Sequence, residues 1–204
     1  VDEALDALRR GEVIVMPTET VYGLAADALD ETAVDRVVAL KGRAPESPIA
    51  VIVAGRDMLE SLVEEVPPAA EKLIERFWPG PLTLVFRGKK GLPGALLNRE
   101  GGIGIRVSSH PIARTLSRTL GRPLTATSAN PSGKEPARSL DEAKIYFAGQ
   151  IRCFIDGGRL DGTRGSTVAD VTHGPLEILR EGEIEAAELE KALGPAEKGE
   201  SSGA

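Results

Sequence analysis

Three clusters of small polar side chains each follow directly on a short apolar run. They are Thr18, Thr20 and Tyr22 after Val13–Met16, Ser108, Ser109 and His110 after Ile103–Val107, and Ser128, Asn130 and Ser132 after Leu124–Ala126. Where such runs are strands of an α/β fold, the loops at their ends meet at a crevice and their hydroxyl and amide groups converge on a ligand. Surface turns use the same residue types, so one cluster alone is ambiguous and three together favour a site. Cations stand near these clusters. Lys41-Gly42-Arg43 is either a helix C-terminus with favourable charges or a phosphate clamp. Arg106 interrupts the apolar strand Gly104-Ile-Arg-Val107, and Arg180 ends another before Glu181-Gly182. Each either reaches solvent or turns into the crevice, where it needs an anion.

Other chemistries are disfavoured. There is no GxxxxGK[ST], and no GxGxxG after a strand, so a nucleotide bound here would be held by dispersed hydroxyls and cations. The two histidines, His110 and His173, are far apart, and His110 before Pro111 suits a local cap better than a metal ligand. Cys153 lies within the apolar run Ile151–Ile155, which suits a buried inert thiol.

The elements that must position these groups alternate irregularly. Helices are expected over Asp2–Arg10, Asp30–Leu40 with Asp30 as its cap, Arg56–Val63, Pro68–Phe77, Pro111–Leu120, Leu140–Phe147 and Ala186–Leu193. Strands are expected over Val13–Met16, Leu24–Ala28, Ile49–Val53, Leu82–Phe86, Ile103–Val107, Leu124–Thr127, Ile151–Ile155, Thr167–Val171 and Leu176–Leu179. Hairpin-like and crossover-like spacings are mixed, which predicts one α/β domain over residues 1–194 with a twisted mixed sheet flanked by helices, followed by a flexible tail over 195–204.

Of 204 residues, 41% are hydrophobic and 27% charged, ordinary usage for a single globular core. With 25 Lys+Arg against 31 Asp+Glu the net charge is −6, so no global positive field draws RNA or a membrane surface. The basic residues nevertheless gather in Arg106–Arg138, and a local anion site is compatible with an acidic chain. A lone cysteine, no long apolar segment and no basic-then-apolar leader lead to the expectation of a cytoplasmic protein without membrane contact.

Read in order, PTETVYGL at Pro17–Leu24, KGR at Lys41–Arg43, FWPGPLTLVF at Phe77–Phe86, IRV at Ile105–Val107, SSHP at Ser108–Pro111, TSANPSG at Thr127–Gly133, STVAD at Ser166–Asp170 and LREG at Leu179–Gly182 resemble the YrdC-like L-threonylcarbamoyladenylate synthases over most of the chain. The resemblance implies an α/β fold around an open cavity. It also implies a nucleotidyltransferase that makes threonylcarbamoyl-AMP and pyrophosphate from L-threonine, bicarbonate and ATP with Mg²⁺. The product would pass to a separate tRNA threonylcarbamoyl transferase complex that modifies tRNA position 37, with weak tRNA contact by this chain as a further possibility. Carried over by position, Thr20, Arg106 and Ser166 would contact threonine. Lys41, Arg43, Ser47, Ser108, Ser128, Asn130 and Arg180 would surround ATP, with Lys41, Arg43 and Arg180 the catalytic cations and Mg²⁺ held mainly through phosphates.

Two positions depart from the pattern. Ser47 stands before Pro48-Ile49 where bacterial relatives often carry another lysine, and Ile52 stands where archaeal relatives have a threonine-contacting histidine. Two other readings compete. One is an RNA-binding or ribosome-assembly module of the same fold, for which an aromatic content of 3% offers few stacking platforms. The other is a related carbamoyl-adenylate-forming enzyme of hydrogenase maturation, whose additional segments are missing from this sequence.

Overall fold

The computed structural model describes residues 1–42, 47–162, 164–174 and 176–194. Local signals set several helix ends. Asp30 caps α2 (Glu31–Lys41) by accepting a hydrogen bond from the Ala33 N–H, and Gly42 ends it in the left-handed conformation, φ 54°. His110 caps α5 (Pro111–Leu120) through Nδ1, and Ser139 caps α6 (Leu140–Phe147). The remaining helices are α1 (Asp2–Arg9), α3 (Arg56–Leu62), α4 (Pro68–Phe77) and α7 (Ala186–Leu193). A short 3₁₀ turn covers Gly94–Leu96.

The strands pair into two ladders where the sequence suggested one sheet. A four-stranded sheet has the order β7 (Thr127–Ser128), β2 (Gly23–Ala25), β1 (Ile14–Met16), β8 (Cys153–Phe154). A six-stranded sheet has the order β10 (Glu177–Arg180), β9 (Thr167–Asp170), β4 (Leu82–Arg87), β5 (Gly102–Arg106), β3 (Val51–Ile52), β6 (Leu124–Thr125). Both are mixed: β1 is parallel to β8 and antiparallel to β2, and β5 is parallel to β3 and antiparallel to β4. The two ladders meet in the extended segment 124–128. Leu124 and Thr125 pair with β3, while Thr127 and Ser128 pair with β2. Between them, Ala126 turns its N–H to the Ala50 carbonyl at 2.7 Å. The expected mixed sheet with flanking helices is therefore present, divided where one strand changes partners.

Side-chain alternation along the six-stranded sheet separates core from cavity. Leu82, Leu84, Phe86, Ile103, Ile105 and Ala169 point into the main apolar cluster, with Leu59, Leu62, Leu73, Phe147 and Leu189 of the helices. A second cluster packs α1 and α5 against the other side of β1, through Leu5, Leu8, Ile14, Met16, Leu116 and Leu124. Cys153 belongs to this second cluster, and burial pushes its thiol pKa up, as an inert core cysteine requires. No helix among the described residues is long and apolar enough to cross a membrane.

Candidate functional site

The face of the six-stranded sheet opposite the main cluster carries small residues. Thr83 and Val85 of β4, Gly102 and Gly104 of β5, and Val168 of β9 with Ser166 just before it form the floor of a cavity of about 760 Å³. A cavity forms here because strands that are close-packed on one face present little side-chain volume on the other. At Gly104 even a Cβ would lie 3.2 Å from the Thr83 methyl and 3.3 Å from the Ala50 Cβ. Asn98 holds the turn beside the floor, its Oδ1 accepting from the Gly102 N–H at 2.6 Å and the Glu100 N–H at 3.0 Å.

The opposite wall comes from the segment after β1. Thr18 Oγ1 donates to the Val21 carbonyl at 2.7 Å, accepts from the Thr20 N–H at 3.2 Å and lies 3.1 Å from Thr20 Oγ1. This turn fixes Thr20 on the cavity wall. Tyr22 is fully buried, and its hydroxyl donates to the Gly158 carbonyl at 2.6 Å and accepts from the Gly157 N–H at 2.9 Å. It thereby pins the loop after β8 against the wall. Gly162 of that loop sits so close to the Thr20 backbone that a side chain there would overlap the Thr20 carbonyl.

Two cations are buried in the wall. Lys41, at the end of α2, sends Nζ to the Asn130 carbonyl at 2.6 Å, the Ser128 carbonyl at 2.7 Å, Asn130 Oδ1 at 3.1 Å and Ser128 Oγ at 3.3 Å. The Asn130 amide donates in turn to the Lys134 carbonyl at 2.6 Å and the Pro131 carbonyl at 3.0 Å. Lys41 and Asn130 thus fix the shape of the loop after β7.

Arg106, the last residue of β5, is 6% exposed and forms an ion pair with Glu19 at 2.8 Å. This resolves the question its sequence position raised: the arginine turns inward, and Glu19 is the anion it needs. Burial lowers the Arg106 pKa and the Glu19 charge opposes that shift. His110 is likewise pushed down by burial, against the same carboxylate.

Eight of the ten residues singled out in the sequence line this one cavity: Thr20, Lys41, Ser47, Arg106, Ser128, Asn130, Ser166 and Arg180. Ser166 Oγ lies 2.8 Å from Thr83 Oγ1, and the Arg180 guanidinium donates through Nη2 to the Ser166 carbonyl at 2.8 Å. Ser108 is not on the wall. It is fully buried, its hydroxyl donates to Glu19, and its Oγ accepts from the His110 N–H at 3.2 Å. Arg43 lies outside the described residues, as does the 195–204 tail.

Sequence reasoning missed Glu19 and Arg164. A carboxylate between two threonines, with an arginine elsewhere in search of an anion, was the available signal for Glu19. Arg164, which also lines the cavity, carried none beyond its place shortly before Ser166. Among the described lining residues, Lys41, Arg106, Arg164 and Arg180 are cationic and none is a carboxylate. A cavity with that charge on its lining suits an anionic ligand.

A family model described as "Telomere recombination", for Sua5, YciO and YrdC proteins, matches residues 6–182. The chain is 42% identical over 187 residues to the threonylcarbamoyl-AMP synthase of Pyrococcus abyssi, covering 92% of this chain and 55% of that protein. It is 35% identical over 191 residues to a putative threonylcarbamoyl-AMP synthase of Mycobacterium tuberculosis, covering 94% of this chain and 88% of that one. The crystal structure of Pyrococcus abyssi Sua5 complexed with L-threonine superposes with a TM-score of 0.90 at 41% identity, covering 94% of this chain and 56% of that one. The chain therefore spans about half the length of the Pyrococcus protein and most of the Mycobacterium protein.

Proposed function

The chain belongs to the Sua5/YciO/YrdC family of threonylcarbamoyl-AMP synthases, and from that premise we propose that it forms threonylcarbamoyl-AMP and pyrophosphate from L-threonine, bicarbonate and ATP. The observation that carries this reading is the cavity itself, with hydroxyls on both walls, four cations and no carboxylate among its described lining residues. The threonine bound to the Pyrococcus relative supports an amino acid as one occupant.

In this reading the threonine amine adds to carbon dioxide derived from bicarbonate, forming an N–C bond and releasing a proton. A carbamate oxygen then attacks the α-phosphorus of ATP, a P–O bond forms, and the bond to pyrophosphate breaks. No covalent enzyme intermediate is required. The residues align two anions and offset their charge. Thr20, Arg106 and Ser166 serve threonine, while Lys41, Arg43, Ser47, Ser128, Asn130 and Arg180 serve the nucleotide, with Lys41, Arg43 and Arg180 drawing charge from the phosphates.

Lys41 has a second task in this reading, since its bonds to the Ser128 and Asn130 carbonyls shape the wall that the nucleotide would face. Ser108, buried behind Arg106, serves through Glu19. Mg²⁺ enters as part of the nucleotide substrate. Among the described residues no His, Cys, Asp and Glu side chains cluster as metal ligands and the described lining has no carboxylate, so in this reading the ion is held mainly through the phosphates and no step is assigned to it. The product is a labile mixed anhydride, handed in the cytoplasm to a separate transferase complex for tRNA position 37.

The test follows pyrophosphate release with ATP, Mg²⁺ and bicarbonate present, adding amino acids one at a time. Release that depends on L-threonine supports the reading. Release indifferent to the amino acid would overturn it.

A further inference from the structure

Glu19 spends both carboxylate oxygens on residues almost ninety positions away in sequence. Oε1 accepts from Arg106 Nη1 at 2.8 Å and the other oxygen accepts from the Ser108 hydroxyl. The Glu19 side chain is 11% exposed and that of Arg106 is 7% exposed. Ser108 lies two residues beyond Arg106 and is itself held by the His110 N–H, so carboxylate, guanidinium and hydroxyl form one fixed unit behind the cavity wall.

Among the described residues, Nη1 is the Arg106 nitrogen bonded to a side-chain partner, yet no side-chain nitrogen or oxygen is both sealed from solvent and unsatisfied. The remaining donors of this cavity-lining guanidinium therefore open onto the cavity.

We propose that Glu19 is a positioning residue that aims the free edge of Arg106 at the carboxylate of the amino-acid substrate, with Ser108 holding Glu19 in place. This rests on the reading that the cavity takes an amino acid. A guanidinium recognises a carboxylate through a planar fork, and a fork that can rotate loses that geometry. Glu19 fixes the plane of the fork from one side. It also offsets the guanidinium charge, which would otherwise be buried without a partner before substrate arrives. Both of its oxygens are engaged by Arg106 and Ser108, which places Glu19 to orient the guanidinium.

The test measures KM for L-threonine and for ATP, by mass-resolved product formation, in the wild-type chain, Glu19→Gln and Ser108→Ala. Glu19→Gln keeps the shape of the side chain and removes its charge. The expected result is a threonine KM raised about 10- to 100-fold, the scale of a hydrogen bond to a charged group, with the ATP KM within about 3-fold of wild type. Ser108→Ala leaves the ion pair and loosens its support, so the same threonine-selective rise is expected at about 3- to 10-fold.

Competition with L-threoninamide supplies an independent readout. The wild-type chain is expected to discriminate against this ligand, which lacks a carboxylate, and Glu19→Gln is expected to narrow the difference. Equal rises in both KM values, or a fall in kcat with both KM values unchanged, overturns the proposal. If Glu19→Gln does not fold, Ser108→Ala decides on the same criteria. No product from the wild-type chain removes the functional reading and this proposal with it.

Discussion

The two faces of the six-stranded sheet are built from alternate residues of the same strands and do opposite work. One face presents Leu82, Leu84, Phe86, Ile103 and Ile105 to a close-packed core, while the other presents Thr83, Val85, Gly102 and Gly104 to the cavity. Side-chain volume on the first face supplies burial, and its omission on the second supplies space for a ligand. A site can thus be made by leaving side chains small on a scaffold whose rigidity comes from behind it.

Substitutions on the two faces should separate stability from chemistry. On the core face, Phe86→Ala empties a fully buried ring site and is expected to lower stability by about 3–5 kcal/mol in denaturant titration, with both KM values of the folded fraction retained. On the cavity face, Gly104→Val places methyl groups against Thr83 and Ala50, already 3.2 and 3.3 Å from an added Cβ. The expected outcome is a loss of turnover of about 10²-fold from a displaced substrate, measured at saturating ligand. The accompanying loss of stability, about 1–3 kcal/mol, should stay below that of Phe86→Ala. The reverse pattern, with Gly104→Val the more destabilising and still active, would break the division.

The wall segment 17–24 shows how far such a division was legible in the sequence. Its ends were readable: an apolar run stops at Pro17, and polar residues at Thr18, Thr20 and Tyr22 follow a strand. The bounds of α4, α5, α6 and α7 were readable to the residue, because Pro68, Pro111 and Ser139 and the apolar periodicity act within a few positions. Contacts across almost ninety residues were not. Nothing local says that Glu19 meets Arg106 and Ser108, that Ser108 is turned away from the cavity, or that the strand after Leu124 changes sheets at Ala126. Short-range signals fix elements, whereas the pairing of buried charges depends on which strands become neighbours.

Within that segment Thr20 serves the cavity and the Tyr22 hydroxyl serves the frame. Thr20→Val should raise the threonine KM up to about tenfold and leave the ATP KM in place, as loss of one hydrogen bond at the ligand would. Tyr22→Phe should have the smaller effect, a loss of about 1 kcal/mol in stability from its two loop contacts.

Tyr22 also carries a pH signature. Burial raises its pKa above the ordinary value of 10.0, so the unfolded chain releases this proton at a lower pH than the folded one. Its contribution is full below about pH 10 and is lost as pH rises through the folded pKa. Thermal denaturation across that range should fall less steeply for Tyr22→Phe than for the wild-type chain, and an identical slope would remove Tyr22 from the account.

The central claim, that this cavity joins threonine, bicarbonate and ATP, is tested most directly by supplying ¹³C-bicarbonate, L-threonine and MgATP to the pure chain and identifying the nucleotide product by mass. The account predicts threonylcarbamoyl-AMP carrying the label, together with pyrophosphate. An adenylate without the label, or ATP turnover that yields no threonine-containing adenylate, would contradict it.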